Sequence, residues 1–563
     1  MSRWGYSGPG EDVLREDGDA GFVGIDMESP AESLAAGWAT MLINKRIENG
    51  VAMTRRGCAA AAQFNLETFG QILGHGTFKN PANGVQYLLI AVVDGVFAMR
   101  EDTYPVKIGL PVGQSLVGAV VFEQVFQHVL MGRGIAKTLT WDGDLTGQFN
   151  FLPAPTLPTI AIPDTRVMLA VADRLLVVHN RDRVAVSDIL EFNQYDAALF
   201  DFKVNAGDGD ELTRVMRWVN RTVLLFKSNS VSGFFNVSGN MSDAYIDSIS
   251  DVRGCVAPKS AVRIGGDVLF LSKGGVYRVL QVVQDRTDVA DVSATEKIRP
   301  LMERVNWDAA ACAAGAVLGK YYYLALPIDG SETNNVVVVM NTVSNAWESV
   351  DYYANENGVG AKAGLQILGF EEISWMGEPK LVMICNRANG LGSVLVHEYG
   401  QYDYVGGSRW HVIDQLRTRF YAIGSKYFKG FNRTRIGIQT WNPFISVAAI
   451  KPGVAERKGL DLIITRDRTA YFTHAREPYD STNINDDANL EKREDYSVLP
   501  AAGGEWVRTG MWTEREQESI EALEIRELAE SVAVEITGSQ GRVGVKFVTV
   551  EGFEKQRDTK TKV

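Results

Sequence analysis

Short apolar segments joined in pairs by tight turns dominate this sequence, and they limit the possible fold more than any other feature does. In the first pair, residues 87–93 and 96–100 flank Asp94-Gly95. Asp-Gly between two apolar runs is a strong signal for a β-hairpin, because the tight turn needs positive φ angles. Five comparable pairs follow, at residues 167–171 and 175–179, 222–226 and 231–237, 267–271 and 276–280, 320–326 and 335–340, and 381–385 and 393–397. The sequence therefore predicts an all-β fold.

The spacing of these pairs indicates how the hairpins are arranged. Their first segments begin near residues 87, 167, 222, 267, 320 and 381. Most intervals are roughly 45 to 60 residues, which is the size of one four-stranded propeller blade. The longest interval has room for another unit containing residues 115–131. We predict a β-propeller of about six to eight blades. A pair of antiparallel sandwiches is the alternative, since irregularly spaced hairpins also build those.

The two ends of the chain lack these regularly spaced hairpins, so the sequence divides into three predicted parts. Residues 1–60, rich in Gly, Asp and Glu, are predicted to form an extended N-terminal arm that leads into the first blade. Residues 61–415 form the propeller, and residues 416–563 form a C-terminal β-rich domain, a small β-sandwich. The arm carries Trp4, Tyr6, Phe22 and Trp38. It either docks on a neighbouring copy or packs on its own domain.

The C-terminal part contains four more local signals. Residues 440–445 are strand-like, with Trp441 either a core or an interface residue, and residues 481–495 form a polar acidic loop. Residues 513–529 open with a possible capping box, which predicts a short helix. Residues 532–536 and 543–550 flank residues 537–542 as a closing hairpin.

Charge and cysteine usage exclude several classes of function. The 563-residue chain has 57 basic and 69 acidic residues, giving a net charge of −12, so a general affinity for nucleic acid is not expected. Its four cysteines lack paired spacing, which argues against a disulfide framework or a CxxC metal site. The charged N-terminus leaves no room for a signal-peptide core. We expect a soluble protein with no membrane association.

No catalytic, cofactor-binding or metal-binding residues are predicted, and we expect that the protein is not an enzyme. None of the six histidines forms an HxH or HExxH motif. His397-Glu398 is the closest approach to a metal or acid–base pair, but a histidine at a strand end is more often simply packed. Residues 207–211 resemble half of a calcium loop and are better explained as a turn. No nucleophile elbow or P-loop occurs.

Several segments, in order over residues 25–400, together resemble the β-propeller virion proteins of tailed bacteriophages, most closely the tail hub or nozzle proteins of short-tailed phages. The opening segment has the pattern Pro30, Leu34, Gly37, Ala39, Asn44, Gly50, Arg55 and Gly57. Later segments lie at residues 141–143, 151–155, 174–176, 187–188, 210–213, 224–231, 254–258, 270–277, 321–327 and 341–348. Each is a hairpin with its turn residues, so their order and number carry the resemblance.

The resemblance implies a function without catalysis or cofactors. Such proteins form a ring, usually a hexamer, that lines the DNA exit channel of the tail. They anchor neighbouring tail proteins, namely portal-side adaptors and tail fibres or spikes. Six copies at −12 each carry −72, so genomic DNA would pass through the lumen without specific binding. The protein would be made in the host bacterial cytoplasm and reside in the virion tail. The alternatives are another virion ring, collar or fibre-attachment adaptor, or a propeller glycan hydrolase.

Overall fold

The computed structural model divides the chain into two compact units, which are described separately. One comprises residues Phe22–Phe420, and the other comprises Met1–Gly21 with Tyr421–Val563. The structure describes residues 14–60, 70–100, 103–134, 136–156, 159–205, 207–219, 221–282, 286–291, 293–354, 365–375, 377–400, 402–405, 408–423, 429–453, 457–460 and 517–554. Within these ranges no helix has the length and apolar character needed to cross a bilayer.

Seven strands come before the first complete blade. They are β1 (Leu14–Asp19), β2 (Gly24–Ile25), β3 (Trp38–Ala39), β4 (Met41–Ile43), β5 (Lys45–Glu48), β6 (Val51–Thr54) and β7 (Ala59–Ala60). The first of them belongs to the smaller unit. The predicted arm, residues 1–60, is therefore shared between the two units, and its Trp4 and Tyr6 lie outside the described residues. Phe22 is buried in the larger unit.

Four antiparallel sheets of four strands follow in sequence. Blade 1 contains β8 (Gly74–Lys79), β9 (Gln86–Val92), β10 (Gly95–Arg100) and β11 (Thr103–Ile108). Blade 2 contains β12 (Val121–Val125), β13 (His128–Gly132), β14 (Leu139–Trp141) and β15 (Asn150–Phe151). Blade 3 contains β17 (Met168–Val171), β18 (Arg174–His179), β19 (Arg183–Val186) and β21 (Asp201–Lys203), and is flanked by the short pair β16 (Ile160–Ala161) and β20 (Gln194–Tyr195). Blade 4 contains β22 (Leu212–Arg217), β23 (Val223–Lys227), β24 (Val231–Phe235) and β25 (Tyr245–Ser250).

The remaining blades complete the circle. Blade 5 contains β26 (Val262–Ile264), β27 (Asp267–Ser272), β28 (Gly275–Val282) and β29 (Arg286–Asp291). Blade 6 contains β30 (Ala314–Leu318), β31 (Tyr321–Leu326), β32 (Val336–Asn341) and β33 (Ala346–Asp351). Blade 7 contains β34 (Gln366–Trp375), β35 (Glu378–Asn386), β36 (Gly392–Val396) and β7. Three further strands end the unit: β37 (Tyr402–Val405), β38 (Ser408–His411) and β39 (Asp414–Arg417). Helical turns are confined to Pro258–Ser260, Ser293–Ile298, α1 (Arg299–Met302) and Ala310–Cys312 in the described part.

These sheets form a β-propeller, which confirms the prediction. Six blades are self-contained four-stranded sheets, and blade 6 continues beyond β33 through a parallel bridge between Val350 and Ile43. From blade 5 through blade 7 and on to blade 4, the first strands of neighbouring blades are in contact, including β34 of blade 7 with β8 of blade 1. Between blades 4 and 5, the helical turn Pro258–Ser260 contacts β22. All six predicted hairpins are present, and the extra unit predicted within residues 115–131 is blade 2.

Apolar faces of neighbouring blades pack together and make the core. Between blades 1 and 2, Phe78 meets Trp141 edge to face, with ring centroids 5.2 Å apart. Between blades 1 and 7, Ile90 packs in one buried cluster with Ile384. Because blade 7 takes its outermost strand from residues 59–60, the two ends of the propeller sequence meet in one sheet.

The described strands of the smaller unit form one antiparallel sheet. Two 22-residue strands, β40 (Lys429–Ile450) and β43 (Ala533–Glu554), pair along their length. The first strand, β1, adds to β43, while β41 (Arg457–Leu460) and β42 (Gln517–Ala529) add to the other side of β40. A second sheet, which a sandwich requires, is not formed among these strands.

Two local predictions in this unit are wrong, and one is confirmed. Residues 517–529 form a strand instead of a helix, because Leu523 and Ile525 are buried while Glu524 and Arg526 between and beside them are exposed. Residues 533–554 run as one strand instead of a hairpin, because β40 pairs on both sides of the expected turn. The strand prediction at residues 440–445 is confirmed by β40. The predicted loop at 481–495 and the side chain of Trp441 lie outside what the structure describes.

Candidate functional site

The propeller unit contains a set of polar and charged side chains beside the closure that are buried, except for Glu398, whose side chain is 25% exposed. The hairpin β5–β6 turns at Asn49-Gly50, where both residues have positive φ angles, 52° and 82°. It lies against the end of β33 and against the chain that follows blade 7. We call this set the closure network: Asn44, Lys45, Arg46, Thr54, Arg55, Ser349, Asp351, Tyr353, His397, Glu398, Asp403 and Asp414.

Lys45 forms the most deeply buried ion pair of the network. Its Nζ lies 2.5 Å from Oδ1 of Asp414, and neither side chain is exposed to solvent. The other carboxylate oxygen of Asp414 accepts a hydrogen bond from the Thr54 hydroxyl at 2.5 Å. The backbone N–H of Lys45 donates to the Ser349 hydroxyl at 3.0 Å. A buried charge must be paired to be tolerated, so these contacts hold β5, β6, β33 and β39 in one arrangement.

Arg46 bridges two carboxylates from different parts of the chain. Its terminal nitrogens lie 3.2 and 2.6 Å from the two oxygens of Asp351, and its Nε lies 2.5 Å from Glu398. Burial raises the pKa of Asp351 and of Glu398, but the nearby Arg46 charge outweighs it, so both pKa values lie below their ordinary range. Both groups are therefore ionised at neutral pH and stay paired with Arg46.

Arg55 uses all five of its N–H donors. Two nitrogens bind the Asp403 carboxylate at 2.8 and 2.7 Å, a bidentate geometry. The remaining bonds go from Nε to Oδ1 of Asn44, and to the backbone carbonyls of Arg56 and Tyr352. The guanidinium also lies 4.3 Å from the ring centroid of Tyr353. Asp403 and Arg55 are 348 residues apart in sequence, so this pair fastens the two ends of the propeller sequence together.

Two uncharged residues of the opening segment complete the junction. Asn44 adopts a φ of 53°, and its side chain accepts from the N–H of Tyr352 and donates to the carbonyl of Ile413. Gly57 lies so close to the chain after blade 7 that a Cβ atom there would be 1.9 Å from the carbonyl oxygen of Tyr402. Only glycine fits at this position without moving the backbone.

His397, the histidine that the sequence marked as the nearest approach to a catalytic or metal residue, is buried in this network. Its Nε2 is hydrogen-bonded to the Tyr353 hydroxyl at 2.6 Å. Burial lowers the pKa of His397 to about 4, so the imidazole is neutral at physiological pH. Burial also raises the pKa of Tyr353 well above its ordinary value. Neither group changes its charge near neutral pH, and the side chain of His397 is only 2% exposed.

The predicted turn at residues 207–211 is stabilised by protein contacts. The Asp208 carboxylate binds Nζ of Lys227 with both oxygens at 2.8 Å. Asp210 accepts from the backbone and the side chain of Asn229. Across the described residues, no cluster of three or more His, Cys, Asp or Glu side chains is arranged to hold a metal ion.

The sequence contained part of the signal for the closure network. Asn44, Gly50, Arg55 and Gly57 all belong to the opening segment of the phage resemblance. Their partners Asp351, Asp403 and Asp414 were not identified, because nothing local distinguishes them from the many surface carboxylates. The network can hold charged chain segments together in a water-poor environment. Its charged groups are paired with one another, as buried charges must be to be tolerated.

No protein-family model matches the sequence, and no curated protein matches it either. Among solved structures, the extracellular domain of the hybrid two-component system BT4673 from B. thetaiotaomicron aligns with a TM-score of 0.40 and 8% identity, over 76% of this chain. The alignment spans 58% of that domain. The β-propeller domain of Cps50 (Swd1) from Myceliophteria thermophila aligns with a TM-score of 0.36 and 11% identity, over 58% of this chain and 96% of that one. Virginiamycin B lyase from Staphylococcus aureus aligns with a TM-score of 0.35 and 9% identity, over 58% and 95%.

Proposed function

We propose that this protein is a structural component of a tailed-bacteriophage virion, in which copies form a tail hub or nozzle ring around the DNA exit channel. The observation that carries the proposal is the role of the opening segment. The residues through which it resembles the phage proteins, above all Asn44, Arg55 and Gly57, are those that fasten the propeller closed. The resemblance therefore lies in residues with a defined structural task, and not in exposed turns alone.

The properties of the propeller suit such a task. A closed ring of blades has protected sheet edges, which limits aggregation when many copies assemble at high local concentration. The buried ion pairs Arg46–Asp351 and Arg55–Asp403 connect segments about 300 residues or more apart in sequence, so the opening segment is tied to the end of blade 6 and to the chain that follows blade 7. The net charge of −12 per copy favours a ring whose lumen repels DNA and lets it slide.

The oligomeric state of the purified protein tests the proposal. We expect native mass spectrometry and negative-stain microscopy to show a closed ring, six copies being the expected number, since rotational symmetry closes a ring without open filaments. A strict monomer at every protein concentration, both alone and mixed with the tail proteins of the same phage, would overturn the assignment. A ring located at the neck of the particle would favour the collar alternative.

The enzyme alternative has its own test. Purified protein is incubated with capsular polysaccharide of the host, and released oligosaccharide is measured by size-exclusion chromatography. We expect no release, because the buried acid–base groups of the closure network are out of reach of a polymer substrate. Release of oligosaccharide by the purified protein would favour the glycan hydrolase.

A further inference from the structure

Two exposed apolar patches lie on opposite faces of the propeller, and the order of the strands shows where each of them is. In blade 2, antiparallel pairing places Val121, Gly132 and Phe151 at the same end of the sheet. The first strand of the blade begins at this end, and we call this side of the propeller the entry face. The connection from blade 1, residues 109–120, and the turn at residues 133–138 therefore lie on the entry face.

The second patch lies on the opposite face, in blade 3. It belongs to an insertion, residues 187–200, that joins the third strand β19 to the fourth strand β21. Blades 2 and 3 point the same way, since a Cβ atom at Gly132 would be 2.4 Å from the carbonyl oxygen of Thr165, which precedes the first strand of blade 3. At the other end, the ring centroids of Phe192 in the insertion and of His128 are 5.4 Å apart, and His128 pairs with the last residue of β12.

The patch on the entry face is apolar and borders a cavity. Val112, Val117 and Phe151 are 99%, 80% and 45% exposed. A cavity of about 340 Å³ is lined by Gln114, Arg133, Ala136, Lys137 and Phe151. Gln114 stands between the two valines in one loop, so the three apolar side chains belong to one surface around this cavity. Exposed apolar surfaces of this kind are typical of interaction sites.

This patch is also basic. Its segments, residues 109–120, 133–138 and 148–166, contain the three bases Arg133, Lys137 and Arg166 and the single acid Asp164. The Arg133 guanidinium donates to the carbonyl of Lys137 and to the side-chain oxygen of Gln114, which are uncharged acceptors. Asp164 accepts from the backbone N–H of Thr138. Three bases against one acid leave a net charge of +2, and we call this surface the basic patch.

The patch on the opposite face is apolar and acidic. Its exposed apolar side chains are Ile189, Leu190 and Leu199, at 48%, 61% and 65%. The insertion contains the three acids Asp188, Glu191 and Asp196 and no base. Burial raises the pKa of Asp188, and the negative charges of Asp196 and Glu191 raise it further, whereas Arg174 opposes the rise. The three acids therefore lie close enough to act on one another.

The surroundings of the insertion keep this acidic excess. Arg174 is buried and donates to the carbonyls of Ser187 and Gly239, which holds the insertion against the adjoining turn of blade 4. The adjoining turns of blades 3 and 4 add the acids Asp173 and Asp243 and the base Arg221. Five acids therefore stand against two bases, and we call this surface the acidic patch.

We propose that the basic patch of one copy binds the acidic patch of the next, so that copies of this chain associate head to tail. Each patch combines exposed apolar side chains with charge, and the two charges have opposite signs, which favours contact between the patches over contact of either patch with itself. Because the patches lie on opposite faces, one copy can bind two neighbours at once. Contacts between two different patches generate a ring when the rotation closes. This interface rests on the ring assembly proposed above, to which it supplies the contact surfaces.

Sedimentation velocity of the full-length protein and of two patch variants tests the interface. The basic-patch variant is Val112→Asn with Val117→Asn, and the acidic-patch variant is Leu190→Asn with Leu199→Asn. Each should raise the dissociation constant of assembly about tenfold or more, because the apolar side chains at the contact are lost. An equimolar mixture of the two variants should form dimers and stop there, since such a pair of copies has one intact basic patch and one intact acidic patch to join.

The matched control changes two exposed valines that lie outside both patches. It is Val252→Asn with Val343→Asn, at residues that are 78% and 81% exposed, and it should assemble like the wild type. Because all the changed side chains are exposed, the Tm of every variant should stay close to that of the wild type. Loss of assembly at an unchanged Tm is then a loss of contact and not of folding.

The outcomes separate the interface from the ring. Dimers that form only in the mixture support the interface, whereas a mixture that stays monomeric overturns the head-to-tail contact. Patch variants that assemble like the wild type, or a control that fails to assemble, overturn the interface and leave the ring standing. Wild-type filaments in negative stain that both patch variants abolish support the interface and overturn the nozzle ring. A wild type that is monomeric at every concentration, alone and with the tail proteins of the same phage, overturns both.

Discussion

Removal of Arg55 tests whether the closure network fastens the propeller. In Arg55→Met the side chain keeps its length, but Asp403 loses both short bonds to the guanidinium. Among the residues that the structure describes, the Asp403 carboxylate then keeps the backbone N–H groups of Cys58 and Ala354, at 3.1 and 3.4 Å. Breaking a buried ion pair by removing one partner costs about 3–5 kcal/mol, because the other charge stays buried and poorly compensated. We expect a loss of that size in the unfolding free energy of the propeller.

The measurement is urea unfolding followed by tryptophan fluorescence, with hydrogen exchange of residues 44–58 as the local probe. The matched control is Lys107→Met, which breaks an exposed pair with Asp94 at 2.5 Å and should cost less than about 1 kcal/mol. The double variant Arg55→Met, Asp403→Leu should recover most of the loss, because it leaves no unpaired charge. Equal destabilisation by Arg55→Met and Lys107→Met would refute the reasoning.

Three further changes test other parts of the propeller. Gly57→Ala should destabilise it by about 1–3 kcal/mol in urea unfolding, since the new methyl group would meet the Tyr402 carbonyl; a neutral effect would contradict the close approach. The pKa of His397 is about 4 in the fold against an ordinary 6.5, so the unfolded chain takes up the proton first as pH falls. The free energy of unfolding should drop by up to about 3 kcal/mol as pH falls from 6.5 to about 4. His397→Gln should abolish this part of the pH dependence. Burial raises the pKa of Glu123 to about 7. The folded protein therefore loses stability as pH rises through this value, because the buried carboxyl must ionise. Glu123→Gln should therefore stabilise the protein by about 1–3 kcal/mol more at alkaline than at mildly acidic pH in urea unfolding.

The parts of the blades that could be predicted are the hairpins, because their sequence signals lie in one continuous stretch of chain. Each predicted hairpin corresponds to two neighbouring strands of one blade, because a turn such as Asp94-Gly95 and two apolar runs are contiguous in the chain. The first strand of blade 3, β17, was predicted at residues 167–171, but the first strand of blade 1 was missed, because β8 has the sequence GHGTFK, with two glycines and no apolar run. The two-residue strand β7 has no pattern at all. The sequence consequently predicted a range of six to eight blades and not a single number.

Only those members of the closure network that lie in the opening segment could be predicted from the sequence. Arg55 and Gly57 belong to a recognisable segment, but the choice of Asp403 as a partner depends on the path of the chain through seven blades. In the smaller unit the failure had a different cause. Residues 517–529 are rich in glutamate, which favours helices in isolation, yet β40 offers a long partner strand and tertiary pairing decides the outcome.

The closure network and the ends of the propeller unit belong to one mechanical arrangement. The unit starts at Phe22 and ends at Phe420, and its terminal segments are bonded to each other. The N–H of Phe420 donates to the carbonyl of Ala31, and the N–H of Thr40 donates to the carbonyl of Arg417. Tension on the chain at either end of the unit therefore acts on these hydrogen bonds, and the buried ion pairs join the same terminal regions to each other. Separating one of these ion pairs would leave each charge buried without a partner. The ion pairs therefore oppose the separation of the terminal regions. The proposed ring would have to keep its shape under load, and a propeller whose two ends are fastened in this way suits that requirement.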